Sequence, residues 1–360
     1  MFPCSDGWPK AAVPQVIDSI RPIAVSRVNL SATLKEKCRC GVTRSFKATV
    51  ALVAFFLAGT LALGDVVLFV SEPFGGFGHM NPTGHAAVYL TRVCAETPTL
   101  LRRCQPGELG VVISRYHRLA GFDWIAIPVV PYLYAVDDLT EVPAFADQAT
   151  AARLRDTYRR NHLLDLIPDD AMRTKNLRGW VQLVGAAFDR RIYAFQFRSS
   201  VEQDDMLIRT LNSGKNRRRF NLLYRNCADF ARTTINLYCP KAIHRSILAD
   251  AGIMTPKQAA KSLVSYGHKH PEIDLSRWVI SQIPGSKPRS KAVRGVFESL
   301  VRSKKYVVPL AVFQPLVTGS VAAGYVFRGR FNPKSDAETL SSPLSIAAAV
   351  GPNSKTDSNN

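Results

Sequence analysis

Acidic side chains are the scarce class in this 360-residue chain: 28 Asp and Glu face 47 Lys and Arg, a formal charge of +19. Collagen-like or low-complexity bias is missing, as are zinc-finger spacing and the aromatic signatures of RNA-binding modules. Charge alone would permit a nucleic-acid partner, but these absences argue against one. A metal centre is not expected either. His79 and His85 lie six apart across Pro82, not at a helical i, i+4 spacing, and no acidic side chain stands near to complete a site with Cys227. No other cofactor is expected. Without residues 1–64 the chain still carries 39 basic against 25 acidic residues, so the excess belongs to the main body. Such a surface suits an anionic cell-wall polymer or lipid headgroups. The length accommodates two average domains, or one large domain with extensions.

Two long stretches contain no charge. Ala48 to Gly64 follows Arg44 and Lys47 and ends in Ala62-Leu63-Gly64, the order of a signal peptide with its small-x-small cleavage site. An uncleaved anchor and a buried helix are the rival readings. Residues 1–47 are polar, hold Pro3, Pro9, Pro14 and Pro22, and are too long for an n-region; they read as an over-called leader, with the true start near Val42. The second stretch, Tyr306–Phe327, is bounded by Arg302, Lys304 and Lys305 and by Arg328 and Arg330. It is long enough to span a bilayer, and a broken apolar hairpin packed on the domain or lying at a membrane surface is the alternative. The Ser/Asn-rich residues 328–360 read as a disordered tail.

Between these runs the periodicity alternates. Asp65–Val70, His85–Leu90, Gly110–Tyr116, Trp124–Val130 and Arg191–Arg198 read as strands. Phe145–His162, Glu202–Leu211, Asn226–Tyr238 and Thr255–Tyr266 read as helices, the last with Pro256 in its first turn. Strands mixed with segregated helices imply an α+β fold. Residues 246–305 read as a helical and basic extension, with Ile283–Ala292 as a linker.

Seven cysteines occur, four of them after the leader: Cys94, Cys104, Cys227 and Cys239. Cys94 and Cys104 lie ten residues apart between two expected strands and suit a loop-closing disulfide in an exported protein. Cys239 precedes Pro240 at a helix end and reads as structural. Cys227 follows Asn226, a good N-cap, and so stands at the first position of an amphipathic helix. There the unpaired backbone N–H groups and the helix dipole favour a thiolate.

A thiol nucleophile needs an imidazole to take its proton. Of seven histidines His85 is best placed, opening a strand after Gly84 and followed by the small Ala86 and Ala87. His79 is second; His162, His244, His268 and His270 read as surface.

Gly84-His85-Ala-Ala-Val-Tyr-Leu, followed far downstream by Tyr224-Arg-Asn226-Cys227-Ala-Asp-Phe230-Ala, resembles the permuted branch of the NlpC-type papain-like superfamily. That branch includes the lecithin:retinol acyltransferase-like proteins. The resemblance covers about residues 65–240 and implies a catalytic domain over 65–245, with an antiparallel sheet, a Cys-bearing helix and a helical C-terminal extension. Cys227 would be the nucleophile and His85 the base. A third polar residue from the following strand should hold the imidazole. His117, just past the end of that strand, is assigned there, with Ser114 and Asp123 as alternatives, because none matches a sharp motif. The implied activity is that of an exported thiol hydrolase or acyltransferase, cleaving an amide or ester bond in cell-wall peptide or lipid. Periplasm or cell envelope is the implied location, with membrane association through 306–327 left open. An inactive envelope binding or scaffold protein of the same fold is the alternative.

Overall fold

The computed structural model describes residues 64–340, apart from 75–82, 118, 170–174, 218–219 and 286. The leader, the signal segment, His79 and everything beyond Leu340 lie outside the described residues. The chain divides into two compact units between Gly59 and Thr60, and the described residues all belong to the second.

Its centre is a seven-stranded sheet built from β1 (Gly64–Ser71), β2 (His85–Leu90), β5 (Val111–Ser114), β6 (Ile125–Pro128), β7 (Ile192–Ser199), β8 (Ser276–Ile280) and β9 (Glu338–Leu340). The order is β6-β5-β2-β1-β7-β8-β9, antiparallel throughout except for the parallel β8–β9 pair. β3 (Val93–Thr97) and β4 (Leu100–Arg103) form a separate hairpin. With ten helices among the described residues, the fold is α+β, and its last part is helical.

Helices cover both faces of the sheet, which explains why β1 reads as an unbroken apolar run. Val66, Leu68 and Val70 point to one face, where α5 (Cys227–Tyr238) supplies Ala228, Phe230, Ala231 and Ile235, and α7 (Pro256–Lys269) supplies Leu263. Val67 and Phe69 point to the other. There they meet Tyr132 and Leu133 of α1 (Val129–Tyr134), Tyr158 of α2 (Gln148–His162), and Ala187 of α3 (Ala186–Asp189). Each of these β1 side chains is fully buried. α4 (Val201–Ser213) follows β7 directly, started by a reciprocal Ser200–Gln203 capping box.

The expected strand over Trp124–Val130 is shorter than its pattern: β6 stops at Pro128 and α1 begins at Val129. Pro131 falls in the first turn of α1, where no intrahelical N–H is needed. The bridge expected between Cys94 and Cys104 is present and ties β3 to the residue after β4.

After α6 (Ile247–Asp250), α7 and β8 come α8 (Val296–Arg302), α9 (Lys304–Phe313) and α10 (Pro315–Gly324). The apolar run is therefore two short helices. Gln314 leaves the helical region at φ −142°, ψ 63°, as steric conflict with the Pro315 ring requires. Among the described residues no helix is long and apolar enough to cross a membrane. In the segment assigned to a disordered tail, Glu338–Leu340 instead extend the sheet beside Trp278–Ile280.

Candidate active site

Gly84 sets the entry to β2. Its φ is +76°, and a Cβ there would lie 2.2 Å from the Ser71 carbonyl oxygen, so a side chain would push His85 off its register. That register pairs His85 with Ser71 at the end of β1, and Ser71 in turn pairs with Ile192 at the start of β7. Three strand ends therefore meet at His85.

Alternation along β5 sends Val111 and Ile113 to the face that carries α5, and Val112 and Ser114 to the other. Ser114 thereby shares a face with His85. Its Oγ lies 3.0 Å from His85 Nε2 and donates to the Ala86 carbonyl at 2.7 Å. With the hydroxyl proton committed to Ala86, the oxygen can only accept from the ring, which places the ring proton on Nε2 and leaves Nδ1 as the basic nitrogen. Tyr116 stacks on the imidazole with centroids 5.1 Å apart.

His117, the residue assigned to hold the ring, is exposed and meets Phe220 edge-on at 5.2 Å. Asp123 is engaged elsewhere, in a buried two-pronged pair with Arg115 at 2.7 Å for both contacts. Ser114 occupies the position because strand alternation turns it, and not its neighbour Arg115, toward His85.

Cys227 opens α5 as expected. Asn226 caps the helix, its side chain accepting from Asp229 N at 3.0 Å while the Asp229 carboxylate accepts from Asn226 N. The Asn226 amide also donates to the carbonyls of Leu222 and Met254, and Arg245 pairs with Asp229. Arg115 lies over the Phe230 ring, 5.3 Å from its centroid, so β5 braces the same helix start.

Backbone N–H groups of Ala86, Ala228 and Cys227 itself stand near the Cys227 sulfur. These donors and the charge of Arg190 draw the thiol pKa down, but burial outweighs them and pushes it up. Burial therefore opposes the thiolate expected from the helix start. Burial, and then Arg190, holds the His85 imidazole well below the usual histidine range. The pair rests as neutral thiol and neutral imidazole. Among the described residues no direct hydrogen bond joins the sulfur to the ring.

Arg190 had no signal in the sequence. It directly follows α3 and stands two residues before Ile192, and it is 3% exposed. Cys239 is buried, and burial pushes its thiol up to about 11, as suits a structural residue. His162 and His270 bind Asp137 and Glu272 at the surface. One trio of potential metal ligands occurs among the described residues, Cys94, Cys104 and Glu108, and its two sulfurs are joined in the disulfide.

No protein-family model matches the chain, and no curated protein matches it. Among solved structures it is similar to a type VI secretion system effector, TseH, at 13% identity and a TM-score of 0.27, over 61% of this chain and 93% of that one.

Proposed function

We propose that this chain is a thiol-dependent hydrolase or acyltransferase acting on an amide or ester bond, with Cys227 as nucleophile and His85 as base. The observation that carries the reading is the hydrogen bond between Ser114 and His85 Nε2, which leaves Nδ1 free for the thiol proton. Ser114 is then a positioning residue for the imidazole. In the first half-reaction sulfur attacks the carbonyl carbon as the proton passes to Nδ1. The protonated imidazole next supplies that proton to the departing amine or alcohol, leaving a thioester. Water, or an acceptor alcohol or amine, resolves the thioester by the reverse route. The backbone N–H groups near the sulfur then stabilise the oxyanion.

The Cys94–Cys104 disulfide suits an oxidising compartment and supports export to the periplasm or cell envelope. The charge of +19 favours an anionic cell-wall polymer or lipid over a nucleic acid as partner. A binding protein without turnover is the second reading. It is favoured by the neutral resting thiol and the lack of a direct sulfur–imidazole hydrogen bond among the described residues.

The test is p-nitrophenyl acetate turnover by the full chain, with iodoacetamide labelling of Cys227 followed from pH 6 to 10. A stoichiometric p-nitrophenol burst, lost in Cys227→Ser and slowed in His85→Ala, is expected. Labelling should climb only above the ordinary thiol pKa of about 8.5. Absence of a burst, with labelling indifferent to His85→Ala, would leave the binding protein as the better account.

A further inference from the structure

Four arginines are buried among the described residues, and three have carboxylates. Arg115 binds Asp123, Arg155 binds Asp189, and Arg159 binds Asp156 and Asp169. Arg190 is the exception. Among the described residues no carboxylate pairs with it, its Nε lacks a hydrogen bond, and its guanidinium carbon lies 5.0 Å from the centroid of the Phe74 ring. The nearby acids are occupied: Asp189 by Arg155 and Lys287, Glu72 by Tyr193, Ser290 and Arg191. An uncompensated buried cation is costly to a fold, and sites that tolerate one are ordinarily sites where a ligand supplies the anion.

The surroundings have the same character. The Ser71 hydroxyl, between His85 and Ile192 in the sheet register, is buried without a well-formed hydrogen bond. So is the Tyr132 hydroxyl, which lies beside it. Both are on the His85 face of the sheet. Three buried donors without well-formed hydrogen bonds thus gather where the strand ends meet, and the charge of Arg190 reaches both His85 and Cys227.

We propose that Arg190, with the Ser71 and Tyr132 hydroxyls, binds a carboxylate carried by the acyl substrate near its scissile carbonyl. This rests on the Cys227–His85 reading and adds the substrate class. A monoanion is chosen over a phosphate dianion because one guanidinium balances one charge, and a dianion would leave net negative charge buried. Binding has a further effect on the base. A carboxylate on Arg190 removes the positive charge that helps depress the imidazole, so His85 becomes a stronger base once substrate is in place.

Iodoacetate and iodoacetamide test this, because both alkylate sulfur at the same CH2 with loss of iodide, and only the first carries a carboxylate. In the full chain, the iodoacetate-to-iodoacetamide rate ratio at Cys227 should exceed that of Arg190→Gln by about tenfold, as a charge-assisted hydrogen bond implies. Arg190→Lys should retain part of the excess. Acetate should slow iodoacetamide labelling of the parent protein and not of Arg190→Gln. Equal ratios in parent and Arg190→Gln would overturn the proposal, and protection by inorganic phosphate where acetate gives none would overturn the carboxylate assignment. The midpoint of thermal unfolding should hold or rise in Arg190→Gln; a fall, with Cys239 becoming open to label, would make Arg190 a structural brace instead. His85→Ala separates the two readings. It should slow both reagents alike, so a failed Cys–His pair appears as unchanged rates and a failed anion site as an unchanged ratio.

Discussion

At the strand ends around His85 three buried polar groups lack hydrogen bonds, whereas at the bend between α9 and α10 apolar side chains lack cover. Phe313 and Leu316 are 78% and 87% exposed, and Val312 and Phe327 stand out beside them. The first region keeps the Arg190 guanidinium from water with no carboxylate partner among the described residues. The second forgoes roughly 1.5–3 kcal/mol for each large side chain left in water. The two departures from a well-packed fold differ in consequence. Unsatisfied donors near the proposed nucleophile belong to the proposed chemistry, and their removal should change reactivity. Uncovered apolar groups on short helices carry little of the fold, and their removal should change almost nothing in the sheet.

The sharpest way to break this contrast is His85→Ala, which should lower the rate of acyl transfer to Cys227 by about 10³-fold while leaving the melting transition in place. A loss below tenfold would mean that the imidazole is not the base. Next is Arg115→Ala. It strands Asp123 in the interior beside the start of α5, and should cost about 3–5 kcal/mol of stability by chemical denaturation. Arg190→Gln should do the opposite, so two arginines buried to similar depth, at 8% and 3% exposure, part company on whether a carboxylate meets them.

That distinction marks the limit of what was legible in the sequence. His85 opening a strand and Cys227 opening a helix follow from local alternation, a glycine before the one and an asparagine before the other. The α+β class follows from the same patterns. Ser114 was within reach, since parity along Val111–Ser114 puts it on one face, but choosing it over His117 required the register of β5 against β2. Arg190 was beyond reach. A basic residue after Asp189 reads as surface until tertiary pairing assigns every nearby carboxylate to another partner. The raised thiol pKa was hidden for a similar reason: the helix start is local, but the burial that opposes it comes from strands distant in sequence. β9 was hidden because three residues paired to a strand sixty positions earlier carry no periodicity of their own.

Smaller effects sharpen the comparison. Replacing Cys94 and Cys104 by serine frees a ten-residue connection and should cost about 2–3 kcal/mol, with the sheet intact by circular dichroism. Acidification should act through the site. The folded-state pKa of His85 lies below its unfolded value, so between the two the unfolded chain binds more protons. Stability therefore falls as pH drops through the ordinary histidine range near 6.5, and His85→Gln should flatten that slope in a denaturation series. Cys227 acts in the other direction: its raised pKa makes the folded state hold the proton longer, so stability declines above the ordinary thiol pKa.

The smallest effect belongs to the C-terminal bend. Phe313→Ser and Leu316→Ser remove side chains that touch little, so each should shift stability by no more than about 0.5 kcal/mol and leave iodoacetamide labelling of Cys227 unchanged. Differential scanning calorimetry of the full chain reads this directly. A loss well beyond that range would show that the bend is packed in solution, and the contrast between a site with unused polar groups and a hairpin with uncovered apolar ones would fail on its second half. A null result carries information as well. The segment then keeps its exposed face without a folding reason, while Lys304, Lys305, Arg328 and Arg330 flank it with positive charge. An apolar face so flanked would suit an anionic lipid interface. Sedimentation of the parent chain, but not of Phe313→Ser/Leu316→Ser, with phosphatidylglycerol vesicles would then separate an idle hairpin from one that holds the Cys227 domain near its substrate.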